Sequence, residues 1–154
     1  SAENLAQYMH DVSMPWVFDM LAGQLMLLQG NFTEALKRLN SAKAQDLARR
    51  WPGVDLVRRS DLVRAQSALG MLTRNQVLNE VLELKACCER ETYFGDCAIS
   101  AYSLAEAVGE IDQDEFGKLR EIASCAVTSF LEQRGREKTV VDLLVKDFIS
   151  LYGE

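Results

Sequence analysis

Gln29-Gly30-Asn31-Phe32-Thr33-Glu34-Ala35-Leu36 reads as the end of one helix, a tight turn and the start of another. Gly30 stops the first helix. Asn31 is placed to cap the second, and Glu34 lies three residues on, where it can reach back to the cap. Upstream, Ser13 and Pro15 suit a helix start. The run behind them is apolar nearly all round: Trp16, Val17, Phe18, Met20, Leu21, Leu25, Met26, Leu27 and Leu28. A helix of that kind is covered on several sides. Downstream, Leu36, Leu39 and Ala42 line one face of a second helix, predicted to end by Arg50. Two helices joined by so short a turn form an antiparallel hairpin.

The rest of the chain repeats this grammar. Apolar residues recur at helical spacing, and no stretch alternates as a strand would. Trp51-Pro52-Gly53 breaks the chain. A third helix is predicted from Val54 or Ser60 to Leu72, read without a glycine at its turn. Thr73 with Gln76 is a capping box for a fourth helix reaching Arg90. Tyr93-Phe94-Gly95-Asp96 breaks the chain again, with Asp96 placed to cap a fifth helix, Cys97–Val108. Asp112 with Glu115 opens a sixth helix that stops near Gly135. Val141, Leu144, Val145, Phe148 and Tyr152 stripe a seventh, Lys138–Tyr152, which would close the array or dock on a partner. A short amphipathic stretch, residues 2–10, precedes the first hairpin. The hairpin turns at 30–31, 72–73 and 109–112 recur about every 40 residues, the organisation of a helical repeat. The expectation is an all-α single domain over residues 1–154, with about seven helices in stacked antiparallel pairs. A closed antiparallel bundle is the alternative.

Ala22-Gly23, Met26, Gly30, Phe32, Ala35, Leu39 and Ala42 carry a family resemblance. Across residues 16–46 they resemble the tetratricopeptide repeat, in which small residues let the two helices of a pair meet. The second hairpin keeps Ala65, Ala68 and Leu72. The third has Gly109, Ala123 and Ala126. The resemblance implies a right-handed tetratricopeptide-like array that binds peptides or helices on the face of its first helices. Transferred to the matching repeat, that face includes Val17, Met20, Gln24 and Leu27. If the next hairpin continues it, Arg58, Arg59 and Arg64 add positive charge suited to an acidic or phosphorylated segment. Val108-Gly109-Glu110-Ile111-Asp112 with Glu115 and Leu119, within residues 105–123, is also similar to tellurite-resistance TerB-like domains. That second resemblance implies an acidic helical module, associated in that family with metal.

Composition narrows function mainly by exclusion. The chain has 154 residues, 17 basic and 23 acidic, for a net charge of −6. An acidic body opposes broad nucleic-acid affinity. Charge is nevertheless uneven: residues 37–74 are net positive and residues 75–125 net negative. One histidine, His10, leaves no His-based triad and no multi-His metal site. Cys87, Cys88, Cys97 and Cys125 lack CxxC spacing and read as reduced, mostly buried thiols of a cytoplasmic protein. A Cys88–Cys97 bridge stays open for an exported protein. No apolar run reaches the roughly 20 residues of a membrane span, and no signal peptide is visible.

Asp112-Gln113-Asp114-Glu115-Phe116-Gly117 starts like a calcium loop, but Phe116 and Ala123 stand where oxygen ligands belong. Capping explains Asp112 and Glu115 better. Glu106 and Glu110, one turn apart in a polar stretch, read as solvated. The chain is therefore expected to be a non-enzymatic interaction module without cofactor or metal. It would bind a protein or peptide segment rather than nucleic acid or membrane, with a homodimer open. A ligand-sensing or effector domain of a larger regulator is the alternative.

Overall fold

The computed structural model describes residues 19–136 and Ser150. Among these residues the fold is all helical, with no strand. Over residues 19–136, seven helices follow one another: α1 (helical over residues 19–28), α2 (Phe32–Leu39), α3 (Ala42–Arg50), α4 (Pro52–Ala68), α5 (Arg74–Arg90), α6 (Phe94–Val108) and α7 (Gln113–Arg136). The predicted stretch 2–10, the start of the first helix with Val17, and the helix Lys138–Tyr152 lie outside the described residues, Ser150 excepted.

The turn after α1 forms with Asn31 as cap, its Oδ1 accepting from the Glu34 N–H at 3.4 Å, but the expected return bond from the Glu34 side chain is not made, the Asn31 N–H being taken by Met26. The glycine chemistry of the turn recurs. Gly30 has φ +76°. Its N–H bonds the Leu27 carbonyl, and the Asn31 N–H reaches back to Met26 at 2.8 Å. Gly70 has φ +69°, with its N–H on Ser67 and the Met71 N–H on Gln66 at 2.9 Å. Both are Schellman caps, which need a left-handed residue that only glycine adopts freely. Gly70 therefore corrects the expectation of a turn without glycine, and α4 ends at Ala68 rather than at Leu72. Beyond it, the Thr73–Gln76 capping box is complete in both directions.

Helix α4 begins at Pro52 and not at Val54 or Ser60, and two further boundaries differ from expectation. The predicted second helix is two helices. Asn40 ends α2, and the Ser41 hydroxyl accepts from the Ala44 N–H to start α3. Arg58, reaching from α4, donates Nε to the Leu39 carbonyl at 2.6 Å and a terminal N–H to Asn40 Oδ1 at 3.1 Å. The orphan carbonyl at the break is thus satisfied by a distant cation. Second, α6 begins at Phe94, so Asp96 lies in its first turn instead of capping it.

The sequence motif of the first hairpin meets in space. A Cβ on Gly23 would lie 2.7 Å from Leu39 Cγ, so α1 and α2 approach only because that position is glycine. Ala35 and Leu39 are fully buried there. Helix α4 is the shared wall of the fold, packing on α2, α3, α5 and α6. Its Val57 and Ala65 join a core with Met20, Leu27, Leu39 and Leu47. Leu56 and Val63 join a second core with Val81, Leu84, Leu104 and Leu119. Small buried residues (Gly53, Ser60, Ser100, Ala101) thin the walls of α4 and α6. A Cβ at Gly53 would collide with the Asp96 carboxylate.

Candidate interaction face

Three helices that each open a hairpin, α1, α4 and α6, are tied together by one buried carboxylate. Asp61 on α4 is 2% exposed. It accepts from Ser103 Oγ of α6 at 2.5 Å and from Gln24 Nε2 of α1 at 3.2 Å. Burial pushes its pKa up from 3.8 to about 6, while Ser103, Gln24 and the charge of Arg64 pull it down. The network sets the lateral register of the three helices and lies just beneath their common face.

Helical register decides what that face presents. On α1, Met20, Gly23 and Leu27 point inward, with Met20 and Leu27 only 6% and 3% exposed. Leu21, Leu25 and Leu28 are left in solvent, at i, i+4 and i+7. On α6, Ile99 and Tyr102 are exposed at i and i+3. Ile99 lines a shallow cleft of about 210 Å³ with Leu21, Gln24 and Val57. It also lines a broader cleft of about 560 Å³ between α6 and α7, with Tyr102, Arg120, Ala123 and Val127. Arg64 lies over the Tyr102 ring at 5.6 Å, and Arg120 lies at 5.9 Å from the same ring. Two cations thus flank an apolar strip that runs from Leu21 through Ile99 to Val127.

The residues expected at the face separate. Gln24 and Arg64 stand at or just under it. Met20 lines the smaller cleft from a buried position, and Leu27 belongs to the core. Arg58 is taken up at the α2–α3 break. Arg59 pairs with Glu83 of α5 at 3.1 Å and lines a different cleft with Leu62, Gln66 and Glu80. Val17 lies outside the described residues. Leu21, Ile99, Tyr102 and Arg120 were not anticipated. Ile99 and Tyr102 give a faint signal in sequence, as bulky apolar residues one turn apart in an otherwise small-residue helix.

The other motifs resolve into local structure. Asp112 Oδ1 accepts from the Glu115 N–H at 3.0 Å, which is helix capping. The Glu115 side chain turns away to Lys85 of α5 at 2.9 Å, so it clips α7 to α5 instead of closing a capping box. Lys85 foremost, and Lys118 with a second hydrogen bond at 3.3 Å, hold its carboxyl below the usual range. Glu106 and Glu110 are exposed. No group of three His, Cys, Asp or Glu among the described residues could hold a metal ion. None of the described helices is long and apolar enough to cross a membrane. Against family models, curated proteins and solved structures, the chain finds no significant match.

Proposed function

We propose that the chain is a non-enzymatic interaction module of tetratricopeptide-like build, which takes a protein segment along the face of α1, α4 and α6. The repeated Schellman turn at Gly30 and Gly70, and the Gly23–Leu39 contact, support the repeat reading. The observation that carries the function is Ile99, an exposed apolar side chain shared by two clefts and followed one turn on by a tyrosine between two arginines. Such a strip suits a segment with apolar anchors at helical or extended spacing and an acidic or phosphorylated residue beside them. The apolar anchors supply affinity, and Arg64 and Arg120 select the sign of the partner. A cytoplasmic setting, with its thiols reduced, fits the four free cysteines.

Selection of peptides from a random displayed library against the folded chain tests this reading. Enriched sequences should combine bulky apolar and acidic residues and bind saturably. Ile99→Asp should weaken them at least about tenfold, because it places a charge in the apolar contact. An absence of enrichment, or binding indifferent to Ile99→Asp, contradicts the assignment.

A ligand-sensing domain is the second reading, favoured by a cleft of about 450 Å³ among α5, α6 and α7, within the size range of small-molecule sites. Ile122 of α7 lines this cleft, so a metabolite panel that shifts the melting temperature, with the shift abolished by Ile122→Trp, would favour it over the peptide reading.

A further inference from the structure

That third cleft holds a feature independent of the interaction face. Cys88 lies in the last turn of α5 and Cys97 in the first turns of α6, and both line the cleft with Cys125, Phe94 and Lys85. Cys88 is 2% exposed and Cys97 5%. Cys97 Sγ donates to the Cys88 carbonyl oxygen at 3.2 Å, which brings the Cys97 sulfur against the residue that carries the second thiol. Cys87, one residue away, faces elsewhere and accepts from Arg90 at 3.5 Å. The fold therefore sorts four free cysteines into one close pair and two singles, Cys87 and Cys125.

We propose that Cys97 and Cys88 form a peroxide-reactive dithiol that closes to a disulfide joining α5 to α6. Cys97 is the attacking sulfur. A hydrogen bond from the Cys88 side chain lowers its pKa, against burial and the Glu91 charge, which raise it, and against its own donation to the Cys88 carbonyl, which the thiolate gives up. Cys88, donating that bond in a buried setting, is held upward and stays a thiol. The Cys97 thiolate attacks one oxygen of hydrogen peroxide; the O–O bond breaks and hydroxide leaves, giving a sulfenic acid. The Cys88 sulfur then attacks the sulfenic sulfur. The S–S bond forms, the S–O bond breaks, and the oxygen leaves as water with the Cys88 proton. Two thiols are oxidised by two electrons, and one peroxide is reduced. The cleft gives so small an oxidant a path to sulfurs that bulkier reagents reach poorly.

Peroxide treatment of the folded, fully reduced chain, followed by alkylation of remaining thiols and tryptic mapping, tests the proposal. Cleavage after Lys85, Arg90 and Lys118 places the two cysteines on separate peptides, residues 86–90 and 91–118. The expected main product joins these two peptides and is lighter by two hydrogens than their sum. It should persist in a Cys87→Ser/Cys125→Ser variant and vanish in Cys97→Ser. In Cys88→Ser, Cys97 should be trapped as a dimedone adduct. Oxidation that falls first on exposed Cys125 or on Cys87, with Cys88 and Cys97 recovered as free thiols, overturns the proposal. So does a linked product that forms only in denaturant.

Discussion

At pH 7, Asp61→Asn should raise the stability of the fold by about 1–3 kcal/mol, and the gain should disappear on acidification. Asp61 has a folded-state pKa of about 6 against an ordinary 3.8, with burial as the leading cause. Between these values the folded state binds more protons than the unfolded one, so stability falls as pH rises through the window. Below about 4 both states are protonated and the penalty is absent; above about 6 it is complete, worth on the order of 3 kcal/mol. Asparagine is neutral and nearly isosteric. Its Oδ1 can keep the Ser103 hydrogen bond, and its NH2 can donate to Gln24 once that amide turns over. Asp61→Ala should behave oppositely, losing about 2–4 kcal/mol, because Ser103 and Gln24 lose their acceptor inside the fold. Glu115, whose pKa is lowered by Lys85, loses stability on acidification. The comparison is therefore the difference between variant and parent in urea unfolding across pH 4–8. A difference independent of pH would show that Asp61 is not the buried carboxylate described.

Arg58→Ala should cost about 1.5–3 kcal/mol of stability and leave binding to a selected peptide unchanged. Its Nε donates at 2.6 Å to a helix-terminal carbonyl, and a second N–H holds Asn40. Removing the guanidinium strands the carbonyl where the chain changes direction between α2 and α3. Burial already lowers the Arg58 pKa, opposed by nearby Asp55, which marks a side chain drawn into the fold and away from the open face. Arg64→Ala should do the reverse. It lies over Tyr102 at the surface, so unfolding should shift by less than about 1 kcal/mol while affinity for acidic peptides falls several-fold. Paired unfolding and binding measurements on the two variants check the separation. Equal losses of binding would place Arg58 back on the face.

The helices themselves are legible because their causes are local. The 3.6-residue period, the Asn31 and Thr73 caps and the break at Trp51-Pro52 act within a few residues. The split at Asn40-Ser41 is only partly legible: the Ser41 cap on Ala44 is local, but the groups that hold the break are distant, Asp19, which accepts from Ser41 Oγ at 2.7 Å, and Arg58. Gly95 looks like a helix breaker, yet it sits in the first turn of α6, where the Phe130 ring covers it. The face is harder still. Helix α1 is apolar nearly all round in sequence, so little that is local says that Met20 and Leu27 turn in while Leu21 and Leu25 stay out. Neighbouring α2 and α4 make that choice, and one residue of register is a rotation of about 100°. Asp61 reads as an ordinary surface acid among Arg58, Arg59 and Arg64 until Gln24 and Ser103, 37 and 42 residues away, close over it.

In the proposed function, α1, α4 and α6 present one continuous receptive strip. Amide and methyl chemical-shift mapping of the labelled chain with a selected acidic–apolar peptide tests it directly. The strongest perturbations are expected at Leu21, Gln24, Arg64, Ile99 and Tyr102, at saturating peptide. Perturbations centred instead on Lys85, Glu89 and Glu121 around the α5–α7 cleft, or on Arg59 and Glu83, would contradict it.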